Sequence, residues 1–159
     1  ADLNNFKPFN DQYGYWRGDE MIRLVASVIQ DHADPTSDFV GHVGGDDFFV
    51  VFQSADWRKR CECIVATFNE RAREFFSPEE AAAGSFAGED RSGVARRFPL
   101  TTLSIGVVVV QPGEYRHHED VASAAAAAKR QSKGGSGGVV VLGERATPAV
   151  QRLRLSAQS

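Results

Sequence analysis

At 159 residues, 42% apolar and 25% charged, the chain has the size and composition of one soluble globular domain with a single sizeable core. Its net charge of −3, from 18 basic and 21 acidic residues, supplies none of the basic field that a nucleic-acid partner requires. No apolar run approaches the roughly 20 residues that span a bilayer, and no signal peptide stands at the start.

Ala1-Asp2-Leu3 reads as the end of a strand whose beginning lies upstream, because Leu3, Phe6 and Phe9 need a core to enter. Phe6 to Tyr13 reads as a short helix with Pro8 near its start, ending at Gly14. From about Gly18 to Gln30, Met21, Leu24, Val25, Val28 and Ile29 form one apolar helical face. A polar loop with Pro35 leads to the apolar stretch Phe39 to Phe52, which is divided by Gly44-Gly45-Asp46-Asp47. Ser54 is the expected N-cap of a helix running to about Phe76, with Trp57, Cys61, Ile64, Val65, Phe68, Ala72 and Phe75 on one face. Residues 77–97 lack a stable period and read as a long insertion. Leu100 to Val110 is a β-branched, central buried strand. An alanine-rich helix spans Glu119 to Lys133, closed by Gly134-Gly135, and Val139 to Leu142 is a last short strand. The tail 144–159 is expected to be peripheral. Helices alternating with strands around a hairpin predict an α+β fold, near the split βαβ arrangement.

Gly44-Gly45 is a hairpin dipeptide, because glycine accepts positive φ without steric cost. Asp46 and Asp47 follow it directly. Such a tip suits two solvated acids, or equally a polyphosphate arriving with its metal ion against bare backbone. Cys61 and Cys63 point in different directions on a helix and lack ligand partners, so they are expected to be passive thiols of a reducing, cytoplasmic compartment. His117-His118-Glu119-Asp120 lacks zinc-ligand spacing and reads as a polar loop before a helix.

Several separated motifs carry a resemblance. Asp2-Leu3-Asn4-Asn5-Phe6-Lys7, Asn10-Asp11, Gly14, Gly18-Asp19, Gly44-Gly45-Asp46-Asp47-Phe48 and Leu103-Ser104-Ile105-Gly106-Val107 occur in the order found in GGDEF domains. On them the chain resembles the bacterial diguanylate cyclase family over residues 1–143. The resemblance implies a palm-like fold of nucleotidyl cyclases and polymerases: a central sheet with antiparallel pairs, flanking helices and an active-site hairpin. It also implies the joining of two GTP molecules into cyclic di-GMP by two facing domains, with Mg²⁺ as cofactor. Asp2 and Asp46 fall on the metal-binding carboxylates, Asp46 and Asp47 on the catalytic acids, and Asn10 and Asp19 on the guanine-reading positions. Lys7 and Lys133, with Gly44 and Gly45, fall beside the phosphates, and Lys129 is an alternative to Lys133 one turn earlier.

Departures from the pattern are specific. Asp47 stands where the signature has Glu, about 1.5 Å shorter in reach. In the inhibitory Arg-x-x-Asp motif, Asp38 is present but Pro35 replaces the Arg, removing a guanidinium fork for cyclic di-GMP. His42 stands in place of an Arg before the signature, and the phosphate-binding Arg after the last helix is missing. Gly88-Glu89-Asp90-Arg91-Ser92-Gly93 and Arg96-Arg97-Phe98-Pro99-Leu100 resemble GGDEF domains of larger proteins that carry upstream EAL and CBS domains. Arg91 there, with Asp38, would contact cyclic di-GMP; a merely solvated loop is the other reading. The resulting expectation is a cyclic di-GMP signalling domain that binds GTP, cyclic di-GMP or both, with weak or absent cyclase activity. The alternative is an active Mg²⁺-dependent cyclase working as a homodimer.

Overall fold

The structure, a computed structural model, describes residues 1–89, 92–133 and 138–142. The chain enters through β1 (Asp2–Asn4) and turns at Asn5, whose φ of 57° lies in the left-handed region that asparagine tolerates better than most residues. Helices α1 (Phe6–Tyr13) and α2 (Tyr15–His32) follow, meeting at Gly14. The apolar face of α2 is buried as its spacing predicts, although the helix starts at Tyr15, earlier than Gly18. β2 (Phe39–Gly44) and β3 (Asp47–Val51) form an antiparallel hairpin. Gly44 and Gly45 close it at φ of 148° and 55°, with a register shift between His42 and Gly44.

Helix α3 (Trp57–Arg71) passes into a 3₁₀ turn over Ala72–Phe75. Its N-cap is Asp56, and the Ser54 hydroxyl, expected to cap it, has no hydrogen-bond partner. The stretch expected as an insertion is folded wherever it is described. Helix α4 (Pro78–Ala83) opens with a capping box, Ser77 Oγ accepting from the Glu80 amide while the Glu80 carboxylate accepts from the Ser77 amide. A hairpin of β4 (Ser85–Glu89) and β5 (Ala95–Pro99) follows. Its anchor is Phe86, fully buried, with ring centroids 5.3 Å from Phe76, 5.7 Å from Tyr13 and 6.5 Å from Phe9. One aromatic side chain thus holds a segment whose Gly, Ala and Arg content shows no period. Asp90, Arg91, residues 134–137 and the tail from 143 lie outside the described residues.

β6 (Thr102–Val108), shorter than the expected Leu100 to Val110, is the centre of a three-stranded sheet, antiparallel to β1 and parallel to β7 (Gly138–Leu142). Helix α5 (His118–Ser132) crosses between β6 and β7. Alternation gives β6 two distinct faces. Leu103 and Ile105 enter the core with α2 and α3, while Gly106 faces α5 so closely that an added Cβ would meet the Ala128 backbone at 2.4 Å. The hairpin β2–β3 joins this sheet through a reciprocal bridge: Ala1 N donates to the Phe48 carbonyl at 2.7 Å and Phe48 N to the Ala1 carbonyl at 3.3 Å.

Candidate active site at the hairpin tip

Asp2 pairs in register with Ser104 and points to the α5 side of the sheet. It is almost wholly buried, at 1% exposure. Two lysines, one helical turn apart on the α5 end, reach it. Lys129 Nζ lies 3.0 Å from Oδ1, and Lys133 Nζ lies 2.9 Å from Oδ2, an ion pair outside hydrogen-bond geometry. Lys129 also donates to the Asp47 carboxylate across the hairpin. That bond holds the Asp47 carboxyl below the ordinary carboxylate value, ahead of the opposing effect of partial burial. Burial works against the charged Lys129, and its bonds to Asp47 and Asp2 overcome this, so its pKa is raised.

Asp46 sits at the turn, half-buried. Desolvation first, and the negative charge of Asp2 second, push its pKa up. Asp46 lies close enough to Asp2 to feel its charge, and Asp2 Oδ2, buried, has the Lys133 ammonium near it but makes no hydrogen bond. Those two observations fit a divalent cation between Asp2 and Asp46. Among the described residues no group of three or more His, Cys, Asp or Glu is arranged as a protein cage.

An open cleft of about 550 Å³ lies beside these acids, its walls including Asn10, Lys7, Tyr15, Asp46 and Lys133. Asn10 Oδ1 is buried there without a partner. Its place depends on Gly18, since a Cβ at that position would stand 1.9 Å from Asn10 Oδ1. The two glycine-linked motifs of the sequence are thereby brought together by one contact. Lys7 lines the same cleft and is paired with Asp11 at 2.5 Å, both partly solvated.

Other expected site residues lie elsewhere. Asp19 is exposed on α2, one residue beyond Gly18 and outside the cleft lining. Gly44 and Gly45 are exposed at the hairpin tip and also outside it. Asp38 is at the opposite end of the hairpin, where it accepts from the amides of Asp34 and Gln53, both at 2.9 Å. Those bonds outweigh its desolvation and lower its pKa, so its visible role is to tie the α2–β2 loop to the end of β3. Arg91 lies outside the described residues, and Arg97 is bonded to Ser85. Lys129, in the sequence only an alternative to Lys133, reaches both Asp2 and Asp47, and its i, i+4 spacing from Lys133 puts both on one helix face. Tyr15, exposed at 76% on the cleft wall, carried no sequence signal at all.

Comparison with known proteins gives the family and the fold. The family described as "Diguanylate cyclase, GGDEF domain" matches residues 1–84. A diguanylate cyclase of Vibrio cholerae is 42% identical over 57 residues, 33% of this chain and 16% of that protein. The Escherichia coli diguanylate cyclase DosC is 39% identical over 54 residues, 34% of this chain and 12% of that protein. The chain thus spans only a small part of the curated relatives it matches. Among solved structures, the GGDEF domain of DgcB from Caulobacter crescentus, in complex with c-di-GMP, is 28% identical with a TM-score of 0.57, covering 88% of this chain and 73% of that one. The GGDEF domain of TpbB (YfiN) from Pseudomonas aeruginosa, 22% identical, shares the fold at a TM-score of 0.61, covering 95% of this chain and 78% of that one. The α+β fold is that of GGDEF domains, and with its signature acids at the hairpin tip this chain belongs to the diguanylate cyclase GGDEF family.

Proposed function

We propose that the domain binds a guanine nucleotide in the cleft between α1, the hairpin tip and the end of α5, as part of cyclic di-GMP signalling, and that it condenses GTP slowly or not at all. The observation that carries this reading is the shared cleft: Asn10, with an unpaired buried oxygen, lines the same wall system as Asp46, Lys7 and Lys133. A carboxamide offers both a donor and an acceptor to a base edge. Asp19, one residue beyond Gly18, would accept from guanine N1–H and the exocyclic amine, a pairing adenine cannot make. Asp2 and Asp46 would hold Mg²⁺, which when bound neutralises the triphosphate, while Lys133 and Lys7 supply further positive charge.

The slow turnover rests on Asp47. Its carboxylate is one methylene shorter than the family's Glu and is already engaged by Lys129. A group displaced by about 1.5 Å from its working position loses much of its catalytic advantage. When active, two copies would face each other with one GTP apiece. We place the domain in the cytoplasm, within a longer protein whose EAL or CBS domains lie upstream. Asp38 and Arg91 remain our candidates for a separate cyclic di-GMP contact. No helix among the described residues is long and apolar enough to cross a membrane.

Incubation of the purified protein with GTP and Mg²⁺, with products resolved by chromatography, tests the catalytic half; robust cyclic di-GMP formation would replace it with the active-cyclase reading. Calorimetry with GTP and with cyclic di-GMP tests the binding half, which fails if neither produces a saturable signal.

A further inference from the structure

We infer that Lys129 is a resident counter-ion that keeps a free divalent cation off the acids of the hairpin tip, so that the cation enters only together with the nucleotide. The inference rests on the reading above and concerns what this chain's own side chains do before any ligand arrives. Lys129 Nζ is 3.0 Å from Asp2 and is also bonded to Asp47, and Lys133 approaches the other oxygen of Asp2 at 2.9 Å. Both oxygens of the buried Asp2 are thus faced by ammonium groups. Two lysine ammonium groups stand among the three acids of the tip.

A bare divalent ion gains little at such a site, because it must displace or lie beside two like charges at short range. A cation carried on a triphosphate changes the balance. The complex is still net negative, so its phosphate oxygens offer Lys129 and Lys133 new partners as the ion takes over the carboxylates. The exchange needs only side-chain rotation. The backbone of Lys129 is pinned by the close approach of Gly106, where an added Cβ would lie 2.5 Å from Lys129 N. Lys129 has 33% of its side chain exposed, leaving it a path to turn outward.

This makes Lys129 a specificity-determining residue rather than a passive phosphate contact, and it predicts positive coupling between cation and nucleotide. Binding of Mn²⁺, followed by the electron paramagnetic resonance of the free ion, tests it without turnover. Four titrations are compared: the wild-type protein alone, the wild-type protein with a non-hydrolysable GTP analogue, and Lys129→Met and Lys129→Gln alone. Asp46→Asn, titrated both alone and with the analogue, supplies the Mn²⁺ that the analogue takes up in solution, and only binding in excess of it is counted as this site's. The analogue is expected to tighten Mn²⁺ binding to the wild type by about tenfold or more, within the usual range of coupling between sites. Both Lys129 variants are expected to bind Mn²⁺ alone more tightly than the wild type does.

Lys129 variants that bind Mn²⁺ alone no more tightly than the wild type would overturn the inference. A wild-type protein that ignores the analogue while the variants gain Mn²⁺ would remove the guanine-nucleotide reading and leave the exclusion of the free cation by Lys129 standing. Were one variant to fail to fold by circular dichroism, the other Lys129 variant still decides.

Discussion

Gly106→Ala probes the packing that carries Lys129 to the site. An added Cβ would lie 2.4 Å from the Ala128 carbonyl carbon, 2.5 Å from Lys129 N and 2.6 Å from the Ala128 carbonyl oxygen. All three are backbone atoms of α5, so no rotamer change relieves the contact. Ordinary contact begins at 3.4 Å, so α5 must retreat from β6 by about 1 Å or the strand must bend by as much. Overpacking of this kind costs about 1–3 kcal/mol, and the lower chain entropy of alanine in the unfolded state returns about 0.5–1 kcal/mol. The net loss, up to about 2.5 kcal/mol, corresponds to a fall in Tm of up to about 10 °C for a chain of this size. Because α5 also positions Lys129 and Lys133, the same displacement should weaken GTP binding by about tenfold, given how sharply such sites depend on position. Thermal unfolding by circular dichroism and GTP calorimetry on the same preparation measure both. Gly88→Ala is the control: its Cβ would meet side chains alone, the Phe98 ring at 3.3 Å and the Phe86 ring at 3.8 Å, and no backbone atom of α5. A Gly106→Ala protein with wild-type Tm and wild-type GTP affinity would refute the claim that this contact sets the height of α5.

Three further outcomes are expected. Gly18→Ala should leave Tm near the wild-type value, since alanine gains about 1 kcal/mol in a helix, yet it should lower GTP affinity by driving Asn10 from its place; unchanged calorimetric affinity would show that Asn10 does not touch the base. Asp47→Glu restores about 1.5 Å of reach and should raise cyclic di-GMP production with little change in GTP affinity, and chromatography showing no extra product would remove Asp47 as the cause of slow turnover. Glu80 has its pKa lowered, chiefly by the Ser77 amide. A depressed carboxylate stabilises the fold above its unfolded value and loses that contribution as pH falls through the folded one. The Tm difference between the wild type and Glu80→Gln should therefore be full near neutrality and close as the pH is taken below the ordinary glutamate value of 4.5; a pH-independent difference would contradict it.

The apolar faces were legible because burial repeats with helical period: Met21, Leu24, Val25, Val28 and Ile29 in α2, and Cys61, Ile64, Val65 and Phe68 in α3. The hairpin was legible from Gly44-Gly45, whose positive φ values a Cβ would disfavour. Local reasoning failed where a single distant contact does the holding. Ser54 has the right chemistry for an N-cap, yet its hydroxyl is unpartnered and α3 begins two residues later. Residues 77–97 show no period, yet Ser77 caps a helix and Phe86 enters an aromatic cluster built by Phe9, Tyr13 and Phe76.

For the site, the sequence by itself determined which groups are available: the signature acids, Asn10 and Asp19, the two lysines near the end of α5, and with them the family. Tertiary structure alone decided which of them meet. Asp2 and Lys129 are 127 positions apart and touch only because β1 pairs with β6 while α5 packs on the same face of β6, at Gly106. Asp19 and Asn10 are nearly adjacent in the chain, but only Asn10 is turned into the cleft. Side-chain identity is a local property; the charge balance at the hairpin tip is a sum over strands and a helix that only folding brings within a few ångströms.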